Sequence, residues 1–408
     1  MLLVFLAALV VALVSPGGGT RAGAALAAPA AAVPGACVDG LLPHGALSRI
    51  CVPASGWNGE LVIWGHGYVA FNEPLGFYNL TLPGGVSLPD LVQSLGYAFA
   101  TTSYRQNGLA IVEGVEDVTE LVAAFPPVAG RPPVRTYMVG ASEGGAITTL
   151  LIERNAALFS GGLAACGPVG NFLLQINYIG DFRVLFDYFF AGVLPGSAIS
   201  VPPELISGWD STYLPAVRAA VAARPLAAAQ LIKVSGAPID PSSPSTVQTT
   251  IENVLWYAVF GTNDASAKLG GNPYGNQGRV YSGSLDDVRL NANVQRYTAD
   301  LTALAHIPPY QTSGLVTKPL VMPHTTGDEQ VPFAHEPLYR FKVISTGSTP
   351  RVTQLPVAAY GHCNFTVAEI LGSFALLVQQ VTGTEPTAIT TRAGVADAKR
   401  RLEGARLR

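Results

Sequence analysis

Ser142 stands in Gly140-Ala141-Ser142-Glu143-Gly144-Gly145, with a glycine two residues to either side. A serine that attacks a carbonyl needs a turn sharp enough to project its hydroxyl, and glycines at those places remove side chains that would collide. Residues 135–140 read as a strand and residues 146–158 as a helix. The serine therefore falls on a strand-to-helix turn, where a helix N-terminus favours developing negative charge. A plain glycine-rich turn competes, because the chain holds 44 glycines and the bare pattern is easily met by chance. The strand–turn–helix setting favours a nucleophile.

A serine hydroxyl needs a base, and the base needs an orienting acid. Of the six histidines, His44, His66, His306, His324, His335 and His362, only His362 lies between the last predicted strand and the final helix, in Tyr360-Gly361-His362-Cys363-Asn364-Phe365. Asp328 follows a predicted strand at residues 318–323, where open α/β sheets place ligands. Glu329, Asp286, Asp287 and Asp300 compete for that role. The oxyanion of an acyl-transfer intermediate needs two preorganised N–H donors. The amide of Glu143 is one, and the segment Trp64-Gly65-His66-Gly67-Tyr68 offers the other, from Gly67 or Tyr68. His324, Asp328 and His335 follow no recognised metal spacing, and His335-Glu336 lacks the second histidine of a zinc helix. Neither metal nor cofactor is expected.

The elements that must carry these residues alternate. Apolar runs at residues 61–64, 97–104, 135–140 and 161–166 read as strands. Residues 113–125 repeat apolar positions with helical period, and Pro126-Pro127 should stop that helix. Such alternation marks a parallel sheet with helices on both faces. From Gly167 to about Pro309 the signals turn helical, notably at residues 203–234 and 247–260, with no convincing strand. Strands return at residues 318–323 and 351–357, and a last helix runs near residues 366–381. Phe182, Leu185, Phe186, Phe189 and Phe190 recur with helical spacing, joined by Trp209, Trp256 and Tyr257. Such a stripe reads first as the core of the helical stretch and second as a substrate wall.

Composition narrows the function classes. The 408 residues are 49% hydrophobic and 12% charged, with a net charge of −3. That excludes a disordered chain and leaves no basic field for nucleic acid. Residues 2–14 are an unbroken apolar run, too short to span a bilayer but of signal-peptide length. Small residues follow and offer cleavage sites such as Ala22-Gly23-Ala24, so residues 1–30 read as a signal peptide. No Lys or Arg precedes the run, and an anchored N-terminal helix is the rival reading. Later segments lack 18 apolar residues in a row, so no membrane span is expected after signal removal. The expectation is export to the cell envelope or medium. Cys37, Cys51, Cys166 and Cys363 would then form two disulfides. Local pairing favours Cys37–Cys51 with Cys166–Cys363, although three connectivities remain open.

In His66-Gly67, Gly140–Gly144, Asp328 with Val331-Pro332, and Gly361-His362, taken in order, the chain resembles secreted serine hydrolases of the α/β-hydrolase superfamily. The resemblance covers roughly residues 45–385. It implies an α/β-hydrolase fold: a mostly parallel sheet flanked by helices, with a largely helical cap after the sixth strand. Residues 37–166 and 311–385 would form the core, 167–310 the cap, and 386–408 a basic tail. Ser142, Asp328 and His362 would be the catalytic triad, Glu143 with Tyr68 or Gly67 the oxyanion donors, and a small-molecule or polymeric carboxylic ester the substrate. A Cys166–Cys363 bond would brace the histidine loop at the catalytic edge. The absent basic leader and the long insertion depart from the pattern, and they bear on localisation and substrate scope. A secreted prolyl- or aminopeptidase-type enzyme is the alternative, and it would need carboxylates in the cap to hold a substrate amine. An acyltransferase would use the same triad, whereas a non-catalytic binding protein would usually have lost one member.

Overall fold

The computed structural model describes residues 32–82 and 84–384. The expected signal peptide and the basic tail lie outside them. Eight strands form one sheet: β1 (Cys37–Leu41), β2 (Leu47–Cys51), β3 (Glu60–Gly65), β4 (Ala98–Thr102), β5 (Arg135–Ala141), β6 (Gly161–Ala165), β7 (Leu320–Gly327) and β8 (Val352–Tyr360). Their order across the sheet is β1-β2-β4-β3-β5-β6-β7-β8. The β1–β2 and β2–β4 pairs are antiparallel, and every other pair is parallel.

The parallel strands β3 to β7 are largely buried on both faces, as helix-covered strands must be, while the edge strand β8 is only partly buried. Leu61, Ile63, Ala98, Ala100, Met138, Ala164, Leu320 and Met322 point to one side. They meet helices α2 (Ile111–Ala129) and α3 (Glu143–Arg154) there. The residues between them, Val62, Phe99, Tyr137, Leu163 and Val321, point to the other side. There they pack under α1 (Leu88–Ser94) and the last helix, Val367–Thr382. The period of two along each strand thus fills two separate cores.

Three local expectations need correction. Helix α2 runs through Pro126 and Pro127 to Ala129 and leaves through left-handed Gly130. Both prolines lie in its last turn, where two intrahelical N–H donors are lost, and the helix ends two residues beyond them. Helix α3 begins at Glu143, directly after Ser142, and ends at Arg154, earlier than the apolar run suggested. The long helical stretch at residues 203–234 is broken into Pro203–Ser207, a π-helical turn at Trp209–Tyr213, Leu214–Ala223 and Pro225–Ser235. Gly208, Pro215 and Pro225 punctuate it.

Between β6 and β7 the chain builds helices around a core of its own. Phe182, Phe186 and Phe190 pack with Trp209, Leu255 and Val259. Most of the aromatic stripe is therefore core. Two helices of this insertion matter for the site: α4 (Phe172–Phe189) and α5 (Thr246–Phe260). No helix among the described residues is long and apolar enough to cross a membrane. Cys37 bonds Cys51 across the β1–β2 register, and Cys166 bonds Cys363 between the end of β6 and the loop after β8.

Candidate active site

Ser142 sits at the C-terminal end of β5, immediately before α3, with φ 58° and ψ −122°. That backbone is costly for a residue bearing a Cβ. The surrounding glycines explain how it is held. A Cβ on Gly140 would overlap the main chain of Gly144, and one on Gly144 would overlap the main chain of Gly65. Strand β5 therefore turns into α3 with no space for side chains, and the turn carries Ser142 upward. The Ser142 carbonyl accepts from Gly145 N at 2.9 Å, while its own N–H donates to Ala165 O at 2.9 Å.

Asp328 and His362 meet above the neighbouring strands. His362 Nδ1 lies 2.7 Å from Asp328 Oδ2 and 2.9 Å from Oδ1. Asp328 is fully buried, and its Oδ1 also accepts from the backbone N–H of Gln330 (3.0 Å) and Val331 (2.8 Å). Burial pushes the Asp328 carboxyl up, but His362 and the hydrogen bonds from His324 and His362 outweigh it and hold it well below the carboxylate range. Nε2 of His362 makes no hydrogen bond to Ser142 and lies 3.6 Å from Cys363 Sγ. The structure thus brings acid and histidine together and leaves the serine–histidine contact unmade.

Gly67 faces the serine. A Cβ there would stand 3.2 Å from Ser142 Cβ and 3.7 Å from Ser142 Oγ. The amide N–H groups of Gly67, Tyr68 and Glu143 have no partner among the described residues. His66 is buried behind them, with Nδ1 2.7 Å from Gly67 O, and its ring stacks on Tyr104. The Glu143 side chain points down into the protein. Its Oε1 accepts from Ala110 N at 2.8 Å, and burial pushes the carboxyl up to about 8.

Beside Ser142 and Glu143 lies a cavity of about 130 Å³, walled mainly by apolar side chains such as Leu109, Ile111, Phe172, Ile176, Ile179 and Tyr257. Helices α4 and α5 close it and tie the site's loops together. Tyr68 Oη donates to Phe260 O at 3.0 Å, Gln175 Nε2 to Gln330 O at 2.7 Å, and Tyr178 Oη to Glu329 O at 2.6 Å.

Sequence reasoning left several of these residues without a role. Tyr257 lines the same cavity as Ser142, although it was legible only as part of an aromatic stripe. Tyr68 entered through its amide, yet its ring packs on Trp256 and Tyr257. His324 and His335 were conspicuous only as metal ligands. His335 turns away: its Nδ1 accepts from Gly170 N at 3.1 Å and its Nε2 faces Gln175 Oε1 at 3.1 Å. His324 touches Asp328 from behind, Nε2 to Oδ2 3.5 Å.

No protein-family model matches the sequence, and no curated protein matches it. Among solved structures, Candida antarctica lipase A aligns over 90% of this chain and 84% of its own, with 13% identity and a TM-score of 0.50. An esterase of Pyrococcus furiosus aligns over 86% of this chain and 91% of its own, with 11% identity and a TM-score of 0.44. The acylaminoacyl peptidase of Pyrococcus horikoshii aligns over 91% of this chain with 13% identity and a TM-score of 0.40, and the chain spans 41% of that peptidase's length. The likeness to the lipase, together with the strand order and the helical insertion between β6 and β7, shows that the chain has the α/β-hydrolase fold.

Proposed function

We propose that the chain is a secreted serine hydrolase that cleaves carboxylic esters through an acyl-enzyme. The observation that carries this reading is the strained Ser142 at the head of α3, beside a hydrogen-bonded Asp328–His362 couple. In the proposed reaction Ser142 Oγ bonds to the ester carbonyl carbon while its proton passes to His362 Nε2. The oxyanion accepts from the Glu143 amide and from Tyr68 or Gly67. Collapse expels the alcohol, which takes the proton from His362. Water then repeats the sequence on the acyl-enzyme and releases the acid. Asp328 keeps Nδ1 protonated and steadies the imidazolium. Substrate entry must complete the Ser142–His362 contact, which is commonly long in empty sites.

The apolar wall of the cavity supports an ester of a hydrophobic acid or alcohol over a strongly anionic substrate. No cofactor enters the scheme. Residues 37–166 and 311–385 are proposed as the catalytic core, with 167–310 as its cap. Two disulfides suit an oxidising compartment, which supports export. The test is hydrolysis of a p-nitrophenyl acyl series by wild type and Ser142→Ala. Wild type should turn over, with a chain-length optimum set by the cavity, and the variant should fall to the blank. Undiminished turnover by Ser142→Ala would refute the serine mechanism.

A further inference from the structure

We infer that His324 and Glu336 extend the proposed couple into a buried charged line, Glu336–His324–Asp328–His362, in which His324 is an imidazolium that positions Asp328. The inference rests on the reading of Asp328 and His362 given above. Its ground is the surroundings of the His324 ring, which is wholly buried on β7. Nδ1 lies 3.1 Å from Glu336 Oε1, and Nε2 lies 2.9 Å from Val331 O and 3.5 Å from Asp328 Oδ2. Every polar atom facing either nitrogen is thus an acceptor. A neutral imidazole carries one proton and would set its other nitrogen's lone pair against an oxygen. Two protons satisfy both sides, and the resulting cation lies between two carboxylates.

The partners are themselves held. Glu336 Oε2 accepts from Gln354 Nε2 of β8 at 2.6 Å, so the carboxylate cannot swing away from His324. Val331, whose carbonyl accepts from His324, donates its own N–H to Asp328 Oδ1. One histidine therefore fixes both the acid and the turn that carries it. Burial opposes the charge on His324, but the hydrogen bonds and charges of Asp328 and Glu336 prevail and raise it to about 10.

The other titratable groups around this line are His335, Lys342, Tyr178, Tyr257 and Glu329. His335, on the same helix as Glu336, accepts at Nδ1 from Gly170 N, and burial pushes its pKa down. Lys342 is further along that helix and also acts on His335. The charges of Asp328 and Glu329 both act on Tyr178 and Tyr257. None of these tyrosines is ionised near neutrality, because burial pushes both phenols up. His324 is thus the cation placed to offset Asp328 from behind, while the His362 Nδ1–H faces it from the front.

His324 is a positioning residue, so its test needs more than loss of activity. Long-range ¹H–¹⁵N spectra of the ¹⁵N-histidine-labelled full chain should show one ring protonated on both nitrogens from pH 6 to pH 8. In Glu336→Gln that ring should lose its Nδ1 proton, because an amide donor replaces the carboxylate. The acid limb of the kcat/KM profile should then move to higher pH, since the lost cation is nearer Asp328 than the lost anion. Turnover should fall roughly 10-fold with KM within about twofold. If Glu336→Gln does not fold, His324→Gln/Glu336→Gln removes both charges together, and the same upward movement is expected. A neutral His324 at pH 7, or a profile that superimposes on wild type in a folded variant, overturns the inference. A merely structural role would lower the melting temperature and leave the profile in place. The spectra need no substrate, so they decide the charge of His324 even if the Ser142→Ala experiment refutes the serine reading.

Discussion

At the scale of single residues, the proposed chemistry depends on conformations that an isolated chain would avoid. Ser142 is held with positive φ, and the positive-φ residues Cys166 and Cys363 are bonded to each other beside it. Asp328 is buried among three kinds of donor: two backbone amides, His362 and His324. Asp328→Asn keeps the shape but offers His362 Nδ1 an amide in place of a carboxylate, which favours the wrong tautomer. It should lower kcat by roughly 10³–10⁴-fold with the fold intact, as steady-state kinetics with circular dichroism would check. Turnover within tenfold of wild type would mean that another carboxylate orients His362. The tight turn at Ser142 and the pairing of Asp328 with His362 could be anticipated because each residue sits in a short motif beside a predicted strand. The placements of Tyr257 and Glu336 could not. Tyr257 shares a cavity with Ser142 from a helix more than a hundred residues away in sequence, and nothing local to either residue encodes that meeting. His324 was visible as a residue, but its meaning depends on which oxygens surround both nitrogens.

At the scale of elements, the site is a meeting of loop ends held by helices and one disulfide. The strands β3 to β7 could be read from apolar runs because they are largely buried on both faces. Strand β1 could not, since all five of its residues are exposed and leave no alternation to detect. The course of α2 through two prolines was also hidden, because a Pro-Pro pair removes two helical N–H donors and reads as a stop. Cys166–Cys363 joins the end of β6 to the residue after His362, with Cα atoms 5.6 Å apart. Losing this bond should loosen the histidine loop first and the sheet later. In a reductant titration, ester hydrolysis should decline while far-ultraviolet dichroism holds, and Cys166→Ser/Cys363→Ser should show the same partial loss. Full activity in that double variant would show that hydrogen bonds alone, chiefly Asp328 to His362, fix the loop.

At the scale of the molecule, the buried ionisable groups set opposing dependences of stability on pH. His324 is raised when folded, so its contribution is complete below about 6.5 and is lost as pH rises towards about 10. Asp328 is lowered, so its contribution is present above its usual range near 3.8 and is lost in acid. Glu143 is a carboxyl raised by burial to about 8 against a usual value of 4.5. The folded chain keeps a proton that the unfolded chain releases, so Glu143 costs stability increasingly between those values. Glu143→Gln should therefore melt above wild type at pH 8 to 9, with the difference shrinking below pH 5. A difference independent of pH would contradict this account of Glu143.

The central claim is that Ser142 is the nucleophile, and covalent capture tests it most directly. The whole protein should be treated with a fluorophosphonate ester, with the adduct located by peptide mass spectrometry. A single adduct on Ser142, absent from Ser142→Ala and slowed in Asp328→Asn, is the predicted result. An unlabelled wild type, or an adduct on any other residue, would contradict it.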